Sequence, residues 1–284
     1  MIPAAFEYHR PTDVSSVISL LQTHGDEARV LAGGHSLIPM MKLRMAQVSQ
    51  LIDLQDVSGL DGIAVADGHV TLGAMVTQHQ LIQDASLAAS VPLIREAALE
   101  IADPQVRYMG TVGGNLANGD PGNDMPGIMQ CLGATLTLVG PAGERDVRAR
   151  EYYEAAYMTA RQDDEVLTAV RFDVPVGGAA YVKQKRKIGD YATAAAAVIL
   201  QREGETVSAA SIAMTNLSDV PVWSEAAGQA LVGSACDADA VTAACQAMLA
   251  DIDPVETNHG PVEFKRHAAS TVLSRAIARA WDRA

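Results

Sequence analysis

Two glycine pairs set the first limit on what this chain can become. Leu31-Ala32-Gly33-Gly34-His35-Ser36-Leu37 follows an apolar stretch, and Gly110-Thr111-Val112-Gly113-Gly114-Asn115 repeats its chemistry about eighty residues later. Paired glycines after a strand let the backbone approach a diphosphate closely and leave N–H groups free to donate to its oxygens. Ser36 and Thr111 add hydroxyls and Asn115 an amide. One such turn also reads as a plain structural reversal. Two, both rich in donors, can grip one diphosphate from opposite sides. Neither carries the lysine of a P-loop or the spacing of a Rossmann fingerprint, so nucleotide hydrolysis and a Rossmann NAD site lose support.

The elements around these loops alternate in kind. Val14 to Thr23 has helical spacing, Ala28 to Leu31 and Leu51 to Leu54 read as strands, and Ser36 is placed to cap the turn after the first loop. Ile63 to Ala66, Asp67-Gly68 and Val70 to Ala74 form a hairpin signal, and Thr77 caps a short helix. Pro92 opens a helix to about Ile101, Asp124 precedes a further helix that ends at Gly133, and strands follow at Ala134 to Val139 and Val166 to Phe172. Val174-Pro175-Val176-Gly177-Gly178 reads as a linker. Beyond it stand three strands, Ala180 to Lys185, Ala192 to Arg202 and Thr206 to Met214, then helices at Trp223 to Leu231, Asp237 to Leu249 and Pro261 to Trp281. At 284 residues this order predicts an α+β protein of two domains, 1–177 (subdomains about 1–56 and 57–177) and 178–284, the second a three-stranded antiparallel sheet under a helical layer.

Composition removes several functions. The net charge of -13 and the lack of a lysine or arginine block argue against nucleic acid. Met1 to Arg10 has no signal-peptide core, and the longest apolar run, Ala192 to Leu200, has the length of a buried strand, which predicts a cytoplasmic protein without a transmembrane segment. Cys131, Cys236 and Cys245 lack cluster-binding spacing, so no iron–sulfur site is expected within this chain. Asn118-Gly119-Asp120-Pro121-Gly122-Asn123-Asp124 is rich in oxygens but lacks an EF-hand pattern, and no metal site is expected there. Asp124 can cap the following helix or accept from a ribose hydroxyl. Glu151 and Glu154 read as a solvated helix face, His79 and His267 as ordinary helical residues, and no general acid or base is assigned. Lys183 to Lys187 reads as a basic, solvated face that Asp190 can pair with.

Together, Ala32-Gly33-Gly34-His35-Ser36, Thr111-Val112-Gly113-Gly114-Asn115 and Lys187-Ile188-Gly189-Asp190-Tyr191-Ala192-Thr193 resemble the FAD subunits of the xanthine dehydrogenase family of molybdenum hydroxylases. The likeness to its aerobic carbon monoxide dehydrogenase branch extends over essentially the whole chain, including Tyr8-His9-Arg10-Pro11 and Asp103-Pro104-Gln105. This resemblance implies a two-subdomain, PCMH-type FAD-binding domain before a small C-terminal domain. It implies that Ala32 to Leu37 and Thr111 to Asn115 enclose the pyrophosphate, that Asp124 approaches ribitol or ribose, and that Lys183 and Tyr191 come toward the isoalloxazine.

A histidine after two glycines also occurs where oxidases of the same broad fold attach FAD covalently. The family binds FAD non-covalently, which leaves His35 a hydrogen-bonding or packing role. The implied partners are an iron–sulfur small subunit and a molybdenum-cofactor large subunit in a dimer of heterotrimers, with a quinone or other external electron acceptor. Any contact with a membrane runs through them. The competing readings are a stand-alone FAD-dependent reductase or oxidase of the same fold and a non-catalytic assembly subunit; two intact donor-rich loops count against the latter.

Overall fold

In a computed structural model covering residues 1–284, the chain forms four sheets and eleven α-helices. Asp13 accepts from the Ser16 N–H at 2.9 Å and so starts the helix Val14–His24, whose Val17, Ile18 and Leu21 face inward. That helix connects strands of a parallel sheet in the order Glu7–His9, Gln50–Asp53, Ala28–Leu31. Parallel neighbours need such a crossover. The strand expected at Leu51 to Leu54 lies one residue earlier. Ser36 sits at the N-cap of the helix Leu37–Lys42, but its φ and ψ of -99° and -52° are already helical and its side chain caps nothing, which corrects the expected capping role.

A five-stranded antiparallel sheet follows in the order Ile63–Ala66, His69–Gly73, Val166–Asp173, Thr135–Gly140, Gly143–Arg148. Asp67 and Gly68 take φ of 51° and 79°, the turn that the expected hairpin requires. Thr77 and Gln80 form a capping box ahead of the helix Gln78–Gln83, as anticipated at Thr77. The helices Pro92–Glu100, Val112–Ala117 and Met125–Cys131 share a buried core with Leu72, Leu136 and Val170 of this sheet, and the short helix Pro104–Met109 buries none of its residues. Glu151 and Glu154 do not share a helix: one ends a 3-10 turn and the other lies in the strand Tyr153–Ala155. A left-handed Tyr157, φ 61°, folds Met158–Thr159 back against that strand, and this reversal replaces the helix.

The last sheet runs Gly178–Gln184, Ala194–Glu203, Thr206–Thr215, Val222–Trp223. The expected three-stranded meander therefore gains a short fourth strand, and the helix anticipated from Trp223 starts at Glu225, capped by Ser224. The central strand is apolar from Ala194 to Leu200, where both faces are covered, and ends in the exposed Gln201, Arg202 and Glu203. Ala194, Ala196, Val198 and Leu200 pack with Val272, Leu273, Ala276 and Ile277 of the long helix Val262–Trp281. Ala195, Ala197 and Ile199 belong instead to a core of 32 buried residues that includes Ile94, Ala97, Ile128 and Met129. The C-terminal sheet thus shares a core with the preceding region, and anything held between them is held by one packed body.

Candidate functional site

A cavity of about 560 Å3 opens where the two glycine loops, the Asp124 segment and the Gly178–Gln184 strand converge. Its walls include 13 of the residues singled out in the sequence: Ala32, Gly33, Gly34, His35, Ser36, Leu37, Thr111, Gly113, Gly114, Asn115, Asp124, Lys183 and Tyr191. Val112 is the exception. Thr111 caps the helix Val112–Ala117, and this turns the Val112 side chain away from the cavity into the core at 0% exposure.

The first loop is an open cradle. Gly34 has φ of 75°, which reverses the backbone with little steric cost only in glycine. None of the five N–H groups from Ala32 to Ser36 has a protein acceptor. A consecutive run of free amides in such a reversal is a concave anion receptor. The second loop spends three backbone donors on the protein, for Gly113 N–H donates to Ala74 O at 2.8 Å, Gly114 N–H to Thr111 Oγ1 at 3.0 Å, and Asn115 N–H to Thr111 O at 3.0 Å, while the buried Asn115 Oδ1 has no partner. The loops touch, for a Cβ built on Gly33 would lie 2.2 Å from Met109 O and one on Gly114 3.3 Å from Ala32 Cβ. Asn123 Nδ2 donates to Asn115 O at 2.8 Å and ties the third segment to the second loop.

Asp124 does not cap its helix. It stands at the N-cap with helical φ and ψ of -80° and -42°, and its side chain turns to the C-terminal sheet instead. Lys183 Nζ lies 2.8 Å from Asp124 Oδ2, the side chains being 1% and 5% exposed, and the Tyr181 hydroxyl donates to Asp124 Oδ1. A buried cation outweighs local capping here. Burial pushes the Asp124 carboxyl up, while Lys183 and Tyr181 pull it back; burial and Asp124 together raise the Tyr181 phenol.

The expected solvated face over Lys183 to Lys187 is therefore divided. Strand alternation turns Lys183 inward and brings Lys185 to Glu100 at 2.5 Å, and the exposed Arg186 meets Asp190 at 3.3 Å, the pairing anticipated for Asp190. Tyr191 is half-exposed, bonded to Asp120 Oδ2 at 3.2 Å, with its ring against Gly122. Burial, then the Asp120 charge, raises its phenol.

Other cavity residues carried no sequence signal. Gln78 is buried in the wall behind the second loop with both amide atoms unpartnered, and Arg161 donates to the carbonyls of Gln162 and Glu165 at the far end. Asn118 and Asn123 belong to the oxygen-rich segment already noted and could have been included on that ground. His35 is exposed at the rim. His79 lies on a helix, but stacks on Tyr108 with 4.0 Å between ring centroids, while His267 lies on the last long helix.

Residues 4–175 match the family described as the FAD binding domain in molybdopterin dehydrogenase, and residues 179–280 match the CO dehydrogenase flavoprotein C-terminal domain. The chain is 52% identical over 286 residues to the carbon monoxide dehydrogenase medium chain of Afipia carboxidovorans, covering 100% of this chain and 99% of the relative. The solved structure of reconstituted CO dehydrogenase from Oligotropha carboxidovorans superposes with a TM-score of 0.98 at 52% identity, with 100% of each chain covered. Quinoline 2-oxidoreductase from Pseudomonas putida 86 superposes at 0.95 and 32% identity, over 99% of both chains.

Proposed function

The chain belongs to the FAD-binding flavoprotein family of the molybdopterin dehydrogenases, in the carbon monoxide dehydrogenase branch, and from that premise we propose that it serves as the medium subunit of a heterotrimeric carbon monoxide dehydrogenase. In this reading it takes electrons from iron–sulfur clusters on a small subunit, after oxidation of carbon monoxide on a molybdenum-bearing large subunit, and passes them to a quinone or other external acceptor. Two such heterotrimers associate. Residues 1–177, as subdomains 1–56 and 57–177, hold FAD against residues 178–284. No helix is long and apolar enough to cross a membrane; the protein works in the cytoplasm, reaching a membrane acceptor through its partners.

The observation that carries the cofactor assignment is the run of five unpartnered N–H groups from Ala32 to Ser36 on a cavity wall. A diphosphate satisfies such a run, and the same cavity is also lined by Leu54 and Arg161 and by Lys183 and Tyr191, which supports room for the rest of a dinucleotide. The fit supports non-covalent FAD held by Ala32 to Leu37, Thr111, Gly113 to Asn115, Asp124, Lys183 and Tyr191. Bound FAD supplies the redox chemistry. The first loop fixes the diphosphate by backbone donation. Thr111 and its neighbours would form the facing wall, Lys183, paired with Asp124, would approach the ring system, and Tyr191 would cover the mouth. Val112 has only a packing role.

Carbon monoxide rests on the 52% relative, since the same fold at 32% identity occurs in quinoline 2-oxidoreductase and fold alone does not carry substrate. The test is to tag the chain in its native host, purify it gently, and record co-purifying polypeptides, the visible spectrum and CO-dependent dye reduction. Two partners with flavin and cluster absorbance and CO turnover are expected. A lone yellow protein with its own substrate would favour a stand-alone reductase, and a colourless one without partners would defeat the proposal.

A further inference from the structure

One buried side chain near the cavity is not part of its wall. Tyr181 is 5% exposed, belongs to the strand Gly178–Gln184, and donates its hydroxyl to Asp124 Oδ1, while Lys183, two residues on and inside the cavity wall, takes Oδ2 at 2.8 Å. Each carboxylate oxygen therefore has its own donor, from the same strand, and the carboxylate plane is fixed by both. The strand itself is held in place, for Tyr181 N–H donates to Glu96 Oε2 at 3.2 Å and Lys183 Nζ also reaches Glu100 O at 3.3 Å. A buried carboxylate stays ionised only when such donors compensate its lost hydration.

We propose that Tyr181 is a positioning residue for the site: its hydroxyl, donated from outside the cavity, keeps Asp124 ionised and turned to Lys183, so that a bound flavin meets a balanced ion pair instead of a lone cation. The second half of this statement rests on the reading above, in which FAD occupies the cavity with its ring system toward Lys183. The charged and titratable groups around the pair are Lys185, Glu100, Tyr191 and Asp120. Lys185 is itself matched by Glu100 at 2.5 Å, and Asp120 is engaged by Tyr191, which leaves Lys183 and Tyr181 as the direct partners of Asp124.

The experiment uses the full-length chain with 13C-labelled aspartate carboxyls, without flavin, and follows the Asp124 signal through a pH titration in wild type, Tyr181→Phe and Tyr153→Phe, with Asp124→Asn to assign the resonance. Loss of the Tyr181 hydroxyl should raise the proton affinity of Asp124 roughly tenfold or more, since a hydrogen bond to a charged group is lost from a buried site. Tyr153 has a buried hydroxyl with no partner, and its replacement should leave the titration unchanged. Tyr181→3-fluorotyrosine, a stronger donor of nearly the same shape, should lower the proton affinity and keeps the test open if the phenylalanine variant does not fold.

The second readout is the midpoint potential of bound FAD, measured at a pH where the titration shows Asp124 ionised in wild type and largely protonated in Tyr181→Phe. It should rise in Tyr181→Phe and rise further in Asp124→Asn, because an uncompensated Lys183 favours the reduced, negative form. An Asp124 titration identical in wild type and both Tyr181 variants overturns the proposal. A titration that shifts while the potential stays fixed upholds the ionisation role and overturns the placement of the flavin ring beside the pair. A wild-type chain that takes up no FAD defeats the cofactor reading alone, and the titration still decides the role of Tyr181.

Discussion

The two glycine loops look alike as sequence and do opposite work as structure. From Ala32 to Ser36 no N–H group finds a protein partner, whereas Gly113, Gly114 and Asn115 all donate within the protein. The first loop leaves its backbone donors open to a ligand; the second spends the backbone amides of Gly113, Gly114 and Asn115 on the protein, and keeps the Asn115 side chain, with its buried, unpartnered Oδ1, for anything else. Its glycines serve close approach: a Cβ on Gly113 would stand 2.5 Å from Ala74 Cβ and 2.7 Å from Ala74 O. The difference teaches that a glycine pair signals backbone proximity, and only the hydrogen-bond inventory tells whether the neighbour is protein or ligand.

If this division is right, substitutions in the two loops separate stability from affinity. The largest effect is expected at the contact itself. Gly33→Ala places a methyl 2.2 Å from Met109 O and 2.8 Å from Gly110 Cα, both backbone atoms that cannot step aside. It should cost roughly 1–3 kcal/mol in urea unfolding and weaken FAD binding, measured by fluorescence titration of the folded variant, by more than tenfold. Gly113→Ala should cost about as much stability, with a smaller loss of affinity in whatever fraction remains folded. Equal affinity losses in the two variants would erase the distinction between cradle and wall. Thr111→Val comes next: removing the hydroxyl that accepts from Gly114 N–H at 3.0 Å should cost about 1 kcal/mol as a lost N-cap, again with stability leading affinity.

Local signals in the sequence reached the structure wherever their partners were local. Asp67-Gly68, the Thr77 cap and Pro92 each depend on neighbours within a few residues, and each appears as expected. Thr111 carried the same kind of signal, an N-cap threonine, but the glycines after it drew the reading toward a loop when the segment is the first turn of a helix. Asp124 was open between cap and site because its partners, Tyr181 and Lys183, lie 57 and 59 residues away. The edge strand Gly143–Arg148 escaped notice because it is exposed and charged, as edges often are. The site was legible as residue types on two loops. Which donors were already spent was not, since that depends in part on Ala74 coming alongside Gly113 from another segment, and on the helical turn that carries Gly114 and Asn115 back to Thr111.

The smallest expected effect is the sharpest test of the cradle. Ser36 is exposed, lines the cavity, and caps nothing although it stands at an N-cap. Replacing an ordinary capping serine by alanine costs about 1 kcal/mol; here the hydroxyl does no such work, so Ser36→Ala should stay within about 0.5 kcal/mol of wild type in urea unfolding. Its hydroxyl is free to donate to a phosphate oxygen, and FAD affinity should fall several-fold, on the order of the roughly 1 kcal/mol that one hydrogen bond contributes. Because the variant adds no bulk and no strain, an affinity loss cannot be ascribed to a distorted loop, as it could be for any glycine substitution. A Ser36→Ala chain that is destabilised but binds FAD normally would mean that the hydroxyl supports the helix after all, and the contrast between an open first loop and a closed second would have to be redrawn around the backbone amides alone.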